Sequence, residues 1–251
     1  MTAESPGGGG RFALVIGAGG EIARAVVERL LADDDNCQVF AVSRTCNREL
    51  VQRFGDRLQW FESDYSGTSI SRVCESLTFL QGRLDRVVIC NGILHGDGIR
   101  PEKRLEDLDQ QAMTAVLTIN TIVPLLWLQG LAGLIKGPRP CVVAVLSARI
   151  GSIADNARGG WYSYRASKAA LNMLLKTAAI ELARRAKGVK LIAFHPGTVD
   201  TPLSRPFQNS VPDGKLFTPD FVAGRLLQLM NEARPDGELS YLDWEGKTIP
   251  W

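Results

Sequence analysis

Tyr164–Arg165–Ala166–Ser167–Lys168 sets a phenol and an ammonium four residues apart. On a helix that spacing puts both groups on one face. A free phenol titrates near ~10, too high for acid–base work at neutral pH, and a neighbouring ammonium is expected to lower it by stabilising the phenolate. Such a pair can give a proton to a carbonyl oxygen, or take one from an alcohol, while hydride moves. A Tyr-xxx-Lys spacing alone is commonplace. Here it opens a helix directly after the apolar run Cys141–Leu146, which ends at Ser147.

The elements around the pair alternate. Phe12–Ile16 reads as a short buried strand, followed by a helix over 21–31 with Ile22, Val26 and Leu30 four apart. Strands follow at 39–42 and 58–61, the latter running to Ser63–Asp64. A polar helix is expected around 70–80, then a strand at 86–90 that stops at Asn91–Gly92. An uncharged stretch, 115–135, is long enough to span a bilayer, but Thr118, Asn120, Thr121, Pro124 and Gln129 make it a buried helix instead. Strand 141–146, a long helix over 162–185 and strand 189–194, broken by Pro196–Gly197, complete the pattern. Strands alternating with helices give a doubly wound α/β (Rossmann) fold: one parallel sheet, helices on both faces, a single domain over 11–251. Residues 1–10, with Gly7–Gly10, read as a flexible leader. The Pro-rich segment 202–219 reads as a mobile flap over the substrate, and the aromatic tail to Trp251 as packed.

Ligands of such sheets bind at the carboxyl ends of the strands. The first strand ends in Gly17–Ala18–Gly19–Gly20–Glu21–Ile22–Ala23. Its glycines permit a tight turn and close approach to a pyrophosphate at the helix N-terminus. The second strand ends in Ser43–Arg44 with no carboxylate for ribose hydroxyls. An arginine there suits a 2′-phosphate, so NADP(H) is preferred and NAD(H) is the alternative.

These features together resemble the short-chain dehydrogenase/reductase family over residues 11–251. Tyr164 and Lys168 match its YxxxK, and Cys90–Asn91–Gly92 stands at its NNAG turn. Asn120 matches the helix asparagine of its catalytic tetrad, and Asp64, followed by Tyr65, matches the aspartate that meets adenine. Pro196–Gly197–Thr198–Val199–Asp200–Thr201 matches its PGxxxT segment beside the nicotinamide. The stretches Ser147–Ile153 and Gly159–Tyr164, and the Ile249–Pro250–Trp251 ending, are similar to its C-factor-like and sniffer-like carbonyl reductases. The resemblance implies Asn120, Ser147, Tyr164 and Lys168 as catalytic residues. It implies cofactor contacts at Gly17, Gly19, Ile22, Ser43, Arg44, Asp64 and Tyr65, and again at Asn91, Gly92, Tyr164, Lys168, Pro196, Gly197, Val199 and Thr201. It further implies an NADP(H)-dependent reductase of a small carbonyl compound, assembled as a homodimer or homotetramer.

Two departures stand out. Glu21 and Ala23 occupy family glycine positions, and Glu21 brings negative charge to the phosphate turn unless it points outward or pairs with a cation such as Arg44. The family's Ser-Ser-x-x-Gly aligns its second serine with Ala148 when Gly151 is matched, so the substrate-orienting hydroxyl falls to Ser147 or to Ser152. A binding or signalling protein of this fold with weak or lost turnover is the competing reading. His95 reads as a loop residue. Trp161 and Tyr162 read either as pocket lining or as an aromatic helix cap.

Composition narrows the rest. With 251 residues, 45% of them apolar, and a net charge of +2, the chain has a large core and no electrostatic pull toward nucleic acid or lipid. Five widely spaced cysteines without a CxxC suggest neither disulfides nor a metal site and fit the cytoplasm.

Overall fold

The structure is a computed structural model that describes residues 10–251, so the expected leader lies outside the described residues apart from Gly10. In chain order the elements are β1 (Arg11–Ile16), α1 (Glu21–Ala32), β2 (Cys37–Ser43), α2 (Arg48–Phe54), β3 (Leu58–Glu62), α3 (Gly67–Ser76), β4 (Leu84–Ile89), α4 (Gln110–Leu117) and α5 (Val123–Leu131). They continue as β5 (Cys141–Leu146), α6 (Tyr162–Arg185), β6 (Val189–His195), β7 (Thr198–Val199), β8 (Leu216–Phe217), α7 (Pro219–Glu232) and β9 (Leu239–Asp243).

Seven strands form one parallel sheet in the order β3-β2-β1-β4-β5-β6-β9. Side chains alternate between the faces of a strand, and both faces here are covered. Along β1, Phe12, Leu14 and Ile16 enter the core shared with α3, α5 and α6, whereas Ala13 and Val15 enter the core shared with α1 and α7. The chain order reverses between β1 and β4, which opens the crevice where ligands of such sheets bind.

Two expected regions differ. The uncharged stretch is not one regular helix, because a π-helical turn, Thr118–Ile122, joins α4 to α5. The run Gln110–Leu131 is long and apolar enough to cross a membrane by composition. Of this run, Val123, Trp127, Leu128 and Leu131 are buried in the α3–α5–α6 core. The segment 202–219 carries more structure than a bare flap. It holds a 3₁₀ turn, Arg205–Ser210, and β8, which pairs with β7, and it ends where Pro219 starts α7. Helix α7 and strand β9 lay beyond the sequence-based expectation and complete the second core and the sheet edge.

Candidate active site

Helix α6 begins beyond the carboxyl end of β5, so its first turns look onto the crevice. Tyr164 is partly buried there and Lys168, one turn on, is 2% exposed. The Lys168 ammonium donates to the Leu146 carbonyl at the end of β5 (2.8 Å) and lies 5.9 Å from the Tyr164 ring centre. The turn that follows β5 rests on the same residue. A Cβ at Gly151 would fall 2.8 Å from the Lys168 backbone, so only glycine allows this approach.

Asn120 is fully buried within the π-turn, a distortion that recurs at functional sites. Its amide clamps the loop after β4, accepting from Ile93 N–H (2.7 Å) and donating to Ile93 carbonyl (2.9 Å). It also donates to Ser167 Oγ (3.0 Å), which in turn donates to the Tyr164 carbonyl (2.8 Å). Gly92 faces this cluster, because a side chain there would come within 3.7 Å of Asn120 Oδ1 and 3.8 Å of Lys168 Nζ. Asn120, Gly92, Tyr164 and Lys168 therefore share one site.

Its electrostatics differ from the sequence-based expectation. Burial, reinforced by Tyr241, pushes the Tyr164 phenol up to about 12, and burial pushes Lys168 down to about 8 against a small opposing effect of Cys90. The ammonium does not lower the phenol here because desolvation of both groups dominates. Burial likewise raises the Cys90 thiol to about 12, so it stays neutral beside Lys168.

The phosphate turn packs against the same loop. Gly17 is left-handed (φ 82°), and a Cβ there would lie 3.1 Å from the backbone of Cys90 and Asn91. Gly19 approaches the Ser43 side chain, and Gly20 caps α1 without any side-chain acceptor, which leaves the first-turn N–H groups uncovered by a cap. Ile22 and Glu21 are partly buried in that turn. Glu21 does not pair with Arg44, and neither joins an ion pair among the described residues. Arg44 is exposed at the end of β2. Ser43 is buried beneath it, donating to the Thr45 carbonyl (2.7 Å) and accepting from Trp60 Nε1 (3.0 Å). At the end of β3, Asp64 accepts from Ser66 N–H and Oγ–H (2.9 and 2.7 Å), which lowers its pKa. Tyr65 is left-handed and meets Trp127 edge-on. Beyond β6, Gly197 (φ 73°) lets the chain pass under the Phe217 ring, Pro196 and Gly197 are partly buried, and Val199 and Thr201 are buried.

Ser147 departs from its expected role. Its hydroxyl is buried and donates to Asn172 Oδ1 (2.6 Å), one helical turn beyond Lys168 and two beyond Tyr164. The one-residue shift from position 148 sends the side chain into the α6 interface rather than to a substrate oxygen. Ser152 is buried as well, accepting from Asp155 N–H (3.1 Å) to close its own turn.

The rings of His95, Trp161 and Phe207 gather beside Tyr164. Trp161 is the N-cap residue of α6, and its ring lies 4.8 Å from Phe207 and 6.3 Å from Tyr164, centre to centre. His95 is more than a loop residue. Its Nε2 bridges to the Pro202 and Leu203 carbonyls (3.2 and 3.1 Å), and its ring meets Phe207 edge-on. The 202–210 segment is thereby held over Tyr164 by an aromatic cluster.

A family model described as short chain dehydrogenase matches residues 11–211. The chain belongs to the short-chain dehydrogenase family. Short-chain dehydrogenases are oxidoreductases, and so is this chain. It is similar to the C-signal of Myxococcus xanthus, 36% identical over 148 residues that cover 59% of this chain and 83% of that protein. It is also similar to the 1-hydroxy-2-glutathionyl-2-methyl-3-butene dehydrogenase of Rhodococcus sp. (strain AD45), 29% identical over 178 residues, 70% of this chain and 76% of that one. Among solved structures, the NADPH-bound carbonyl reductase from chicken fatty liver superposes with a TM-score of 0.83 at 26% identity, covering 96% of this chain and 99% of that chain.

Proposed function

We propose that this short-chain dehydrogenase is an NADP(H)-dependent reductase of small carbonyl compounds, or oxidises the corresponding alcohols, with Tyr164 as acid–base and Lys168 as its electrostatic partner. The observation that carries the reading is the meeting of Asn120, Tyr164 and Lys168 at the β1/β4 crevice, beside a turn in which Gly17 packs tightly on the backbone of Cys90 and Asn91.

The residues present fit a dinucleotide. Gly17 packs on the backbone of Asn91, whose buried Oδ1 has no partner among the described residues, and it leads into the side-chain-uncapped N-terminus of α1. Gly17, Gly19 and Ile22 would hold the pyrophosphate, Arg44 and Ser43 the 2′-phosphate end, and Asp64 and Tyr65 the adenine. Asn91, Gly92, Pro196, Gly197, Val199 and Thr201 would flank the nicotinamide. The NADPH bound by the chicken enzyme supports the phosphorylated cofactor, and NAD(H) is the alternative. The bound cofactor supplies hydride.

The protein supplies the proton. With its pKa raised by burial, Tyr164 keeps its hydrogen at neutral pH and can deliver it to a carbonyl oxygen as charge develops there. The Lys168 ammonium, fixed by Leu146, stabilises the phenolate left behind. Asn120 holds the loop that carries Gly92 and ties it to α6 through Ser167. With Ser147 engaged elsewhere, Tyr164 polarises the carbonyl without a serine partner. The aromatic wall of Trp161, Phe207 and His95 favours an uncharged, apolar carbonyl substrate.

All five cysteines are free, as a cytoplasmic protein allows. Exposed Met173, Leu174 and Ile180 on α6, with Ile122 at the π-turn, offer an apolar face for a homodimer or homotetramer.

The test is NADPH oxidation with an aryl diketone such as benzil, alongside fluorescence titration with NADPH and NADH. Tyr164→Phe is expected to abolish turnover while leaving NADPH binding within about two-fold. Unchanged turnover in that variant refutes the mechanism. NADPH binding by the wild type with no turnover of any carbonyl favours the binding or signalling reading.

A further inference from the structure

We infer that Glu102, in the loop between β4 and α4, is a positioning residue for Tyr164. The inference rests on the acid–base reading of Tyr164 given above. Helix α6 starts without a cap of its own. Its N-cap residue is Trp161, which makes no side-chain cap bond, and its first turn holds no acidic residue. The first-turn N–H groups of a helix need acceptors, and an N-cap side chain ordinarily serves the second or third of them.

Glu102 supplies that acceptor from 61 residues away. It is only 5% exposed, and its carboxylate accepts from Ser163 N–H (3.2 Å) and from Ser163 Oγ–H. Its backbone carbonyl accepts from Trp161 N–H. The chain must turn sharply to bring this about. Gly159, Gly160 and Trp161 are left-handed in succession (φ 64°, 65° and 53°), and a Cβ at Gly160 would touch the Glu102 carbonyl at 3.4 Å. A tryptophan in that region is strained and persists only where neighbours hold it. Glu102 brackets it, with its carbonyl on Trp161 N–H and its carboxylate on Ser163, and Tyr164 is the residue after Ser163. A carboxylate at a helix N-terminus also suits the helix dipole.

Glu102 therefore fixes the rise and rotation of the first α6 turn, and with it the phenol, without touching the reacting atoms. A misplacement of about 1 Å at a reacting group lowers rate by roughly 100-fold.

The test compares wild type, Glu102→Ala, Glu102→Gln and Ser163→Ala by two readouts. Hydrogen exchange of the unliganded proteins reports the anchor itself. The Ser163 amide is expected to lose at least about ten-fold of its protection in Glu102→Ala and to keep it in Glu102→Gln, whose amide oxygen still accepts. Steady-state NADPH oxidation with benzil reports the consequence. In Glu102→Ala, kcat is expected to fall roughly 10- to 100-fold, with NADPH Kd and benzil KM within about two-fold, and Glu102→Gln is expected to recover most of it. Ser163→Ala, which keeps the amide bond, falls between. Unchanged exchange at Ser163, or a loss confined to KM or Kd, overturns the inference. Should Glu102→Ala not fold, a Glu102→Gln variant with wild-type exchange and kcat beside a Ser163→Ala variant with lowered kcat supports it. Equal and undiminished kcat in both overturns it. If the wild type does not reduce benzil, the exchange experiment still decides whether Glu102 anchors α6, and the failure falls on the proposed activity alone.

Discussion

Replacing Ser147 by alanine separates the geometry found here from the role that family resemblance assigns. Ser147 and Asn172 are each 3% exposed and are joined by a bond of 2.6 Å. Removing the hydroxyl leaves the buried Asn172 Oδ1 without the hydrogen bond it accepts here. A buried polar group left unpaired costs about 1–3 kcal/mol. For a domain of this size each kcal/mol lowers Tm by roughly 2–4 °C, so Ser147→Ala should melt roughly 4–8 °C early for a loss near the middle of that range. Replacing both partners with apolar groups removes the orphan, so Ser147→Ala combined with Asn172→Leu should recover most of the stability. Turnover should move little, because the hydroxyl lies two helical turns from Tyr164. A serine that polarised the substrate carbonyl would instead be worth roughly 100- to 1000-fold in kcat. Differential scanning calorimetry and steady-state kinetics on the same preparations read both quantities. A fall in kcat of two orders of magnitude with Tm unchanged refutes the placement of Ser147 as a structural brace.

Two other perturbations concern His195, at the end of β6, and Arg44, at the end of β2. Burial holds His195 near 4, well below its usual range, with Arg149 opposing its charge and its Nδ1 unpartnered. The unfolded chain thus binds the extra proton between about pH 6.5 and 4, so stability is full above 6.5 and falls by roughly 3 kcal/mol as pH drops through that window. Urea unfolding at pH 7 and 4.5 should show this slope in the wild type and a shallower one in His195→Gln. An equal slope in both assigns the acid lability to other groups. Arg44→Ala should weaken NADPH binding roughly 10- to 100-fold, the worth of charge-assisted bonds to a phosphate, and leave NADH binding near its starting value. Equal weakening of both cofactors removes Arg44 from the 2′-phosphate site.

Much of the frame was legible in the sequence because buried parallel strands are short apolar runs and helices carry a 3.6-residue period. The bounds expected for α6 match those observed, and so do those of β5. Helix α7 went unread although its signals are present: Thr218 accepts from Phe221 N–H as an N-cap, and Pro219 follows at the first helical position. The prolines of 202–219 drew that signal into an expected flap. The chemistry was less legible where it depends on what surrounds a residue. Spacing predicted that Lys168 would lower the Tyr164 pKa, but desolvation acts on both groups, and its extent is a property of the packed core. Glu102 has no motif, because its role arises only when the loop after β4 lies against the start of α6.

The three polar residues on successive turns of α6 explain how this protein can differ from its relatives without losing the site. Tyr164, Lys168 and Asn172 are each referred to a different part of the molecule. Tyr164 sits in the turn anchored by Glu102 through Ser163, Lys168 donates to Leu146 at the end of β5, and Asn172 receives the Ser147 hydroxyl. Gly151 brings the turn after β5 onto the Lys168 backbone, so the middle level is the fulcrum. A hydroxyl at position 147 points below that fulcrum and strengthens the joint between β5 and α6. A hydroxyl at position 148, on extended backbone (φ −157°, ψ 144°), would point to the other side of the chain. One residue of register along β5 thus converts a group that could assist the substrate into one that braces the helix carrying the acid. In the mechanism proposed above, the burden of polarising a carbonyl then falls on Tyr164, and the accuracy with which its helical turn is held would set the rate.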